Sequence, residues 1–287
     1  MARLFGLLGN RADLAGRVLA LESEALRVRT RPGTQLGWGV GFYQGGEVLM
    51  RRRPIDGDEI DVAKLAGDVR ADVLIGHVRT ATVGTLRTEN THPFRYRQWL
   101  FATTGTIAQF EQIRERLVAS VPEFLRGGIR GETDSEIMFH VFLSFLHDAG
   151  RLNDAEVEPA VVRDALRSTM SVVDGMTAEV GGEPGPTNLM VTNGDDILAL
   201  HRGQSMAYRL FSGKHDADMI IGEDSSLRRR TPELAQMHFV LVASDFDADA
   251  PSMVLSVQPP PPSRWKSVAD RAIVTVTRGQ DPQVEEL

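Results

Sequence analysis

Residues 76–105 read GHVRTATVGTLRTENTHPFRYRQWLFATTG, and this stretch decides how the rest of the sequence is interpreted. The apolar run 73–75 leads into it, and a second apolar run, 99–101, leads towards its end at Thr104 and Gly105. Short apolar runs bounded by polar residues predict buried β-strands. Because polar side chains follow both runs, we expect the two strands to present a functional site at their ends.

The composition is that of an acidic globular protein without thiol chemistry. The 287 residues are 42% hydrophobic and 25% charged, which is enough for a sizeable core, and we expect one domain over residues 1–287. The net charge of −7 argues against a nucleic-acid partner, because general nucleic-acid binders are basic. The absence of cysteine excludes disulfides, thiolate metal sites and a cysteine nucleophile. Apolar segments are too short for a signal peptide or a membrane span, so we expect a cytoplasmic protein with no membrane partner.

Hydrophobic periodicity predicts helices and strands in different parts of the chain. Apolar residues at helical spacing predict helices over 12–28, 58–67, 110–124, 136–148 and 158–173. Apolar or alternating runs predict strands over 2–8, 37–43, 47–52, 72–79, 99–104, 187–192, 197–202, 206–211, 219–222, 238–244, 253–257 and 273–277. Glycine-containing turns at 44–46 and at Asn193-Gly194 predict two hairpins. Helices between two groups of strands predict an α+β fold, with two sheets covered by helices.

The central stretch also resembles the class II glutamine amidotransferases, which are N-terminal-nucleophile (Ntn) hydrolases. Their pattern reads GHxRxAT, then ENTHPF, then a strand that ends in His-Asn-Gly. The similarity is greatest to the small stand-alone amidohydrolases, which include ergothioneine-pathway and glutathione-degrading enzymes. Four further landmarks occur in the same order: RLFG at 3–6, GWGVGFY at 37–43, TDSE at 133–136 and LVAS at 241–244. The resemblance implies a four-layer αββα sandwich of the Ntn-hydrolase type.

Three positions depart from the family's pattern. The family's nucleophile is the cysteine after the initiator methionine, whose own amine serves as base, and this sequence has Ala2 there. The family's oxyanion-hole asparagine corresponds to Thr104, although Gly105 matches the glycine whose backbone N–H faces the oxyanion. The aspartate of the family's Asp-Gly-Trp-Gly corresponds to Leu36. We expect no catalytic residue, and Ala2 and Thr104 are the degenerate positions.

The positions that hold the substrate in the family are present. The resemblance assigns the α-carboxylate to Arg79, whose planar fork suits a carboxylate, and the α-amino group to Asp134. Thr82 matches a threonine near the carboxylate, and His92 belongs to the ENTHPF loop. An ion pair between Arg79 and Asp134 that only stabilises the old cleft is the competing interpretation. The histidines lack the spacing of a metal site, so we expect no metal and no cofactor.

Three hypotheses for function follow. The first is an inactive pseudoenzyme that binds glutamine, a γ-glutamyl small molecule or a protein partner. The second is an active amidotransferase or γ-glutamyl amidohydrolase in which a natural cysteine at position 2 has been replaced by alanine. The third is a non-catalytic subunit of a biosynthetic complex, and a homo-oligomer is also possible. Separately, the basic run 51–53 is interpreted as a solvated strand end, with an anionic partner as the alternative.

Overall fold

The structure is a computed structural model that describes residues 2–29, 35–56, 59–80, 85, 87–229, 234, 236–246 and 264–287. Its strands are β1 (Arg3–Gly9), β2 (Val28–Arg29), β3 (Gln35–Gln44), β4 (Glu47–Asp56), β5 (Glu59–Ile60), β6 (Val73–Thr80), β7 (Phe94–Tyr96), β8 (Trp99–Gly105), β9 (Thr187–Thr192), β10 (Asp196–Arg202), β11 (Met206–Ser212), β12 (His238–Ser244), β13 (Lys266–Ser267), β14 (Ala272–Thr277) and β15 (Gln283–Glu286). Its α-helices are α1 (Ala15–Leu21), α2 (Ser23–Leu26), α3 (Val62–Ala66), α4 (Phe110–Ser120), α5 (Glu123–Arg126), α6 (Asp134–Asp148), α7 (Pro159–Glu179), α8 (Gly213–Ile221) and α9 (Ser225–Arg228). A 3₁₀ turn at Ala12–Leu14 precedes α1.

Most of the strands form two antiparallel sheets. In the described residues, the larger sheet has seven strands in the order β13-β11-β12-β1-β6-β3-β4. The smaller one has six strands in the order β15-β14-β10-β9-β8-β7, and β2 pairs with β5 separately. Strand β1 lies in the middle of the larger sheet, and all seven of its residues are buried. Burial on both faces of a strand requires covering layers on both sides of the sheet.

Three apolar clusters define the layers. Leu4 and Leu8 of β1 pack between the two sheets, against Met190, Val242 and other residues of both. Phe5 and Leu7 point the opposite way and pack with α1, α3 and α8 on the outer face of the larger sheet. Helices α4, α6 and α7 cover the outer face of the smaller sheet. The layers therefore run helix, sheet, sheet, helix, which confirms the predicted α+β sandwich.

Most of the predicted strands and both predicted hairpins are present. The β3–β4 turn places Gly45 and Gly46 at φ of 61° and 81°, and the β9–β10 turn has Gly194 at 102°. These left-handed values suit glycine because it lacks a Cβ atom. The predicted strand over 253–257 lies outside the described residues.

Two predictions were wrong. The strand predicted over 219–222 is the end of helix α8, whose Ala217, Ile220 and Ile221 pack into the outer core of the larger sheet. A short apolar run cannot distinguish a strand from a buried helix by periodicity alone. The single helix predicted over 12–28 is interrupted at Glu22, which is buried and accepts a hydrogen bond from the indole N–H of Trp265. That distant partner cannot be read from local spacing.

Candidate functional site

The space between the sheets changes from apolar to polar at one end. On β6, Val73 and Ile75 face the other sheet, and the next residues on that face are His77 and Arg79. The same change occurs on β8, where Leu100 and Ala102 are followed by Thr104. In β1–β6 pairing, Arg3 lies opposite Val78, so Ala2 comes next to Arg79. The alternation thus brings the polar residues of several strands together at the start of β1.

A hydrogen bond joins the two sheets at this polar end. The hydroxyl of Thr104 on the smaller sheet donates to Oδ2 of Asp245, which directly follows β12 of the larger sheet, at 3.0 Å. The Ser244 hydroxyl donates to the same oxygen. Burial raises the pKa of Asp245, and the hydrogen bonds from Ser244 and Thr104 partly oppose that shift. Asp245 has φ of 59°, and its N–H donates to the carbonyl of Ser205 at 2.9 Å.

Arg3 supplies positive charge beside Asp245. It is fully buried, and its guanidinium donates to the carbonyls of Ser244 and Arg27 at 3.1 and 3.0 Å. The same guanidinium lies 5.2 Å from the ring centroid of Phe246. Its charge favours the ionised form of Asp245. A buried arginine and a buried aspartate therefore form part of the same polar network.

Asp134 and Arg79 lie near each other, but Asp134 is engaged by backbone groups. Its Oδ2 accepts from the N–H of Ile107 and its Oδ1 from the N–H of Ser135, both at 2.8 Å. Burial raises the pKa of Asp134, and those N–H groups and Arg79 lower it. Arg79 is buried, and its Nη1 donates to the carbonyl of Thr85 at 3.4 Å. Asp134 therefore holds the start of α6 against the segment that follows β8, and its charge still acts on Arg79.

The ring of His92 packs against the ring of His77. The two rings meet edge to face with centroids 4.4 Å apart, and both residues are only 3% exposed. The four ring nitrogens have no hydrogen-bond partner among the described residues. Burial lowers the pKa of His77 to about 3, and it lowers the pKa of His92 well below its ordinary value. Both imidazoles are therefore neutral near pH 7.

Gly105, Ala2 and Thr82 are the remaining predicted positions. Gly105 ends β8 with φ of 99°, a conformation that suits glycine, and an added Cβ atom would lie 2.0 Å from the Pro186 carbonyl oxygen. Ala2 is partly buried at the start of β1. Thr82 lies outside the described residues. The roles assigned to Arg79, His92 and the other site positions stay predictions.

Across the described ranges, no three His, Cys, Asp or Glu side chains come together in a group able to hold a metal ion. None of the described helices is both long enough and apolar enough to cross a membrane.

The fold and the order of its motifs agree with one family. A family model described as "Glutamine amidotransferases class-II" matches residues 1–280. The chain belongs to the class II glutamine amidotransferases.

Relatives of this amidotransferase-family chain match only part of it. The "Probable glutamine amidotransferase DUG3" of Saccharomyces cerevisiae is 28% identical over 185 residues, which are 59% of this chain and 52% of that protein. A glutamine–fructose-6-phosphate aminotransferase of Streptococcus pyogenes is 22% identical over 178 residues, which are 61% of this chain and 25% of that protein. The matched part is therefore about half, or less, of the length of these curated relatives.

Solved structures share the fold over nearly the whole chain. A glutamine aminotransferase class-II domain protein from Silicibacter pomeroyi has a TM-score of 0.57 and 15% identity, and the match covers 99% of this chain and 98% of that one. The glutamine phosphoribosylpyrophosphate amidotransferase of Bacillus subtilis has a TM-score of 0.52 and 12% identity, over 99% of this chain and 49% of that one. At these identities the likeness shows the amidotransferase fold alone.

Two residues of the site were missed by the sequence analysis. Asp245 directly follows the LVAS landmark, and Arg3 interrupts an otherwise apolar strand. A charged residue at the end of, or inside, a buried strand is expensive to bury without a partner. That cost was the signal by which both residues could have been found.

Proposed function

We propose that this chain is a class II glutamine amidotransferase-like protein that binds an amino-acid ligand or a protein partner and does not hydrolyse amides. The observation that carries the proposal is the hydrogen bond from Thr104 to Asp245. In the family, the side chain at the position of Thr104 donates to the oxyanion of the tetrahedral intermediate. Here the hydroxyl proton of Thr104, the one proton of that side chain able to form a hydrogen bond, is donated to the carboxylate of Asp245 instead.

In its ionised form, Asp245 would also oppose the chemistry. An oxyanion that accepted from the same hydroxyl would lie within about 5 Å of that carboxylate, and two like charges at that separation repel by about 3 kcal/mol at an effective dielectric constant of about 20. Loss of one oxyanion donor by itself costs about 10²–10³ in kcat. Both effects raise the barrier for a step in which negative charge develops beside Thr104.

Ala2 supports the same conclusion. It has no group that can attack a carbonyl carbon, and the sequence contains no cysteine that could replace it. Removal of the nucleophile from a serine protease costs about six orders of magnitude in kcat. The hypothesis that alanine has replaced a natural cysteine at position 2 accounts for Ala2, but it leaves Thr104 and its bond to Asp245 unexplained.

Of the two parts of the family's activity, substrate binding and hydrolysis, the residues support only the binding of an amino-acid head group. Arg79 places a guanidinium at the polar end of the sandwich, and Asp134 places a carboxylate near it. Because Ile107 and Ser135 already donate to Asp134, this carboxylate is fixed in one orientation, which favours a preorganised site over a flexible one.

The catalytic part is tested by measuring glutamate release from L-glutamine. We expect no release by the unmodified protein and only slow release by Ala2→Cys, once mass spectrometry has shown that Met1 is removed. The double variant Ala2→Cys/Thr104→Asn should be faster than Ala2→Cys by about 10² or more, because it regains an oxyanion donor. Enzymatic turnover by the unmodified protein would refute the proposal, and full turnover by Ala2→Cys alone would favour the hypothesis of a replaced natural cysteine.

The binding part is tested by calorimetry with L-glutamine and a γ-glutamyl dipeptide. If the head-group site is used, Arg79→Gln should abolish the heat of binding. Arg151→Gln, which removes an exposed arginine paired with Asp154, is the matched control and should leave it unchanged. If the unmodified protein binds neither compound, the ligand half of the proposal fails, and a protein partner remains to be sought by co-purification from the source cell.

A further inference from the structure

The basic run at residues 51–53 is divided between two faces of edge strand β4. Arg52 turns inward, where its guanidinium donates to the carbonyls of Thr91 and Pro93 at 3.0 and 3.3 Å. Arg51 and Arg53 turn outward, and each lies 5.7 Å from the ring centroid of an aromatic residue of β3. The run is therefore not one solvated patch, and its two outward members face the layer that contains α3.

These two arginines form one wall of a cleft of about 560 Å³ between β4 and α3. The volume is within the range of small-molecule sites in proteins. Lys64 lies on the α3 side, and Trp38, Met50 and Leu65 supply apolar surface. The cleft is separate from the polar end of the sandwich, because its lining includes neither Arg79, Thr104, Asp134 nor Asp245.

Positively charged side chains outnumber negatively charged ones in the cleft. Four cations line the cleft, Arg51, Arg52, Arg53 and Lys64, and the one carboxylate in the lining is Asp68, which accepts from Nη1 of Arg51 at 2.7 and 2.9 Å. Lys64 is 84% exposed, and its Nζ is 3.8 Å from Asp61. Arg53 has no ion-pair partner in the part of the chain that the structure describes. Even with Asp61 counted beside Asp68, the four cations outnumber the carboxylates, which is a local exception in a protein of net charge −7.

The cleft wall also contains a buried donor that has no acceptor. The indole N–H of Trp38 has no hydrogen-bond partner among the described residues, and Trp38 is only 6% exposed. Buried donors are normally satisfied, and an unsatisfied one costs stability. Because this N–H is itself buried, a ligand in the cleft would contact the ring of Trp38 and not its donor.

We propose that the β4–α3 cleft binds a small molecule that carries at least two neighbouring oxyanion groups, phosphoryl or carboxylate. The forked guanidinium of Arg53 and the charge of Lys64 hold the anionic groups, and Trp38, Met50 and Leu65 contact the body of the ligand. Charged residues on an edge strand also discourage aggregation. That role accounts for the charges, but it does not require a cleft with apolar surface beside them.

The experiment is calorimetry of the whole protein at low salt with two probes, inorganic pyrophosphate and citrate, which separate the phosphoryl from the carboxylate ligand. We expect saturable binding of at least one probe that weakens as salt is added. Arg53→Gln should weaken that binding about tenfold.

Arg116→Gln is the matched control, because it removes one exposed arginine from α4 on the opposite side of the sandwich. It should leave the affinity within about twofold of the original. Equal weakening by Arg53→Gln and Arg116→Gln would show non-specific charge attraction and overturn the proposal. Absence of binding to either probe would also overturn it. None of these outcomes depends on whether the polar end of the sandwich binds glutamine.

Discussion

The buried pair His77 and His92 should make the folded state unusually sensitive to mild acid. Burial lowers the pKa of His77 to about 3 from an ordinary value of 6.5, and it lowers the pKa of His92 well below that value. As the pH falls below 6.5, each imidazole takes up a proton in the unfolded chain but not in the folded one. The stability that the neutral imidazoles contribute is therefore present above pH 6.5 and is lost as the pH falls.

The size of the effect follows from proton linkage. Each histidine that titrates only in the unfolded chain lowers the free energy of unfolding by about 1.4 kcal/mol per pH unit below pH 6.5. Between pH 7.5 and pH 5.0 the loss is about 2 kcal/mol for one histidine and about 4 kcal/mol for the pair. That is a large part of the 5–15 kcal/mol that typically stabilises a folded domain.

Urea unfolding at a series of pH values measures this directly, and His77→Leu removes one of the two groups. Since neither ring nitrogen of His77 has a hydrogen-bond partner among the described residues, an apolar replacement leaves no protein partner unpaired. We expect His77→Leu to lose about 1.4 kcal/mol less per pH unit than the unmodified protein below pH 6.5. His147→Gln, which removes an exposed histidine near the end of α6, is the control for the loss of a histidine as such.

The comparison between variants matters because other groups titrate as well. Burial lowers the pKa of His140, and it raises the pKa values of Asp134 and Asp245, which changes the total slope. Those contributions are common to all three proteins and cancel in the difference. An identical slope for His77→Leu and the unmodified protein would refute the reasoning, because it would mean that His77 binds its proton equally well in the folded chain.

Three further predictions concern the stability of the elements around the site. Gly105→Ala should destabilise the fold by about 2–4 kcal/mol in urea unfolding, because the Cβ atom would meet the Pro186 carbonyl oxygen at a left-handed φ, whereas Gly127→Ala has open space and should change little. Thr133→Ala should lower the free energy of unfolding by about 1 kcal/mol, because the Thr133 hydroxyl accepts from the N–H of Glu136 at the start of α6. Thr133→Ser keeps the hydroxyl and should retain most of that stability. Arg52→Met should speed hydrogen exchange at residues 88–94, because Arg52 donates to two carbonyls of that segment, whereas Arg51→Met should not.

Strands were easier to predict than helix boundaries, for a physical reason. A strand buried on both faces, such as β1 or β12, is a continuous apolar run whose ends are visible in the sequence. Helix α8 is short and ends in Met219, Ile220 and Ile221, so its apolar run is the same length as a strand. Only its packing against the larger sheet makes it a helix, and that packing is a tertiary property.

The site was predictable to the extent that it depends on strand alternation. Arg79 and Thr104 follow apolar runs, and the alternation of side chains along β6 and β8 places both between the sheets. Asp245 was not predictable in the same way. Its backbone leaves the extended conformation at φ of 59°, so alternation along β12 does not give the direction of its side chain. The bond between Thr104 and Asp245 joins residues 141 positions apart, and no local pattern contains it.

Ala2 and Thr104, the two positions predicted to be degenerate, lie on different sheets, yet in the proposed function both would affect the same step of amide hydrolysis. Ala2 precedes β1 of the larger sheet, and Thr104 lies on β8 of the smaller one. A carboxylate can face Thr104 without penalty only if no negative charge has to form there, and the absence of an attacking group at Ala2 removes that requirement. Conversely, a cysteine at position 2 that attacked an amide would generate an oxyanion close to Asp245, a carboxylate that already accepts from the hydroxyls of Ser244 and Thr104. Ala2 and Thr104 are therefore consistent with each other, and restoring the family's residue at one position alone should not restore full activity.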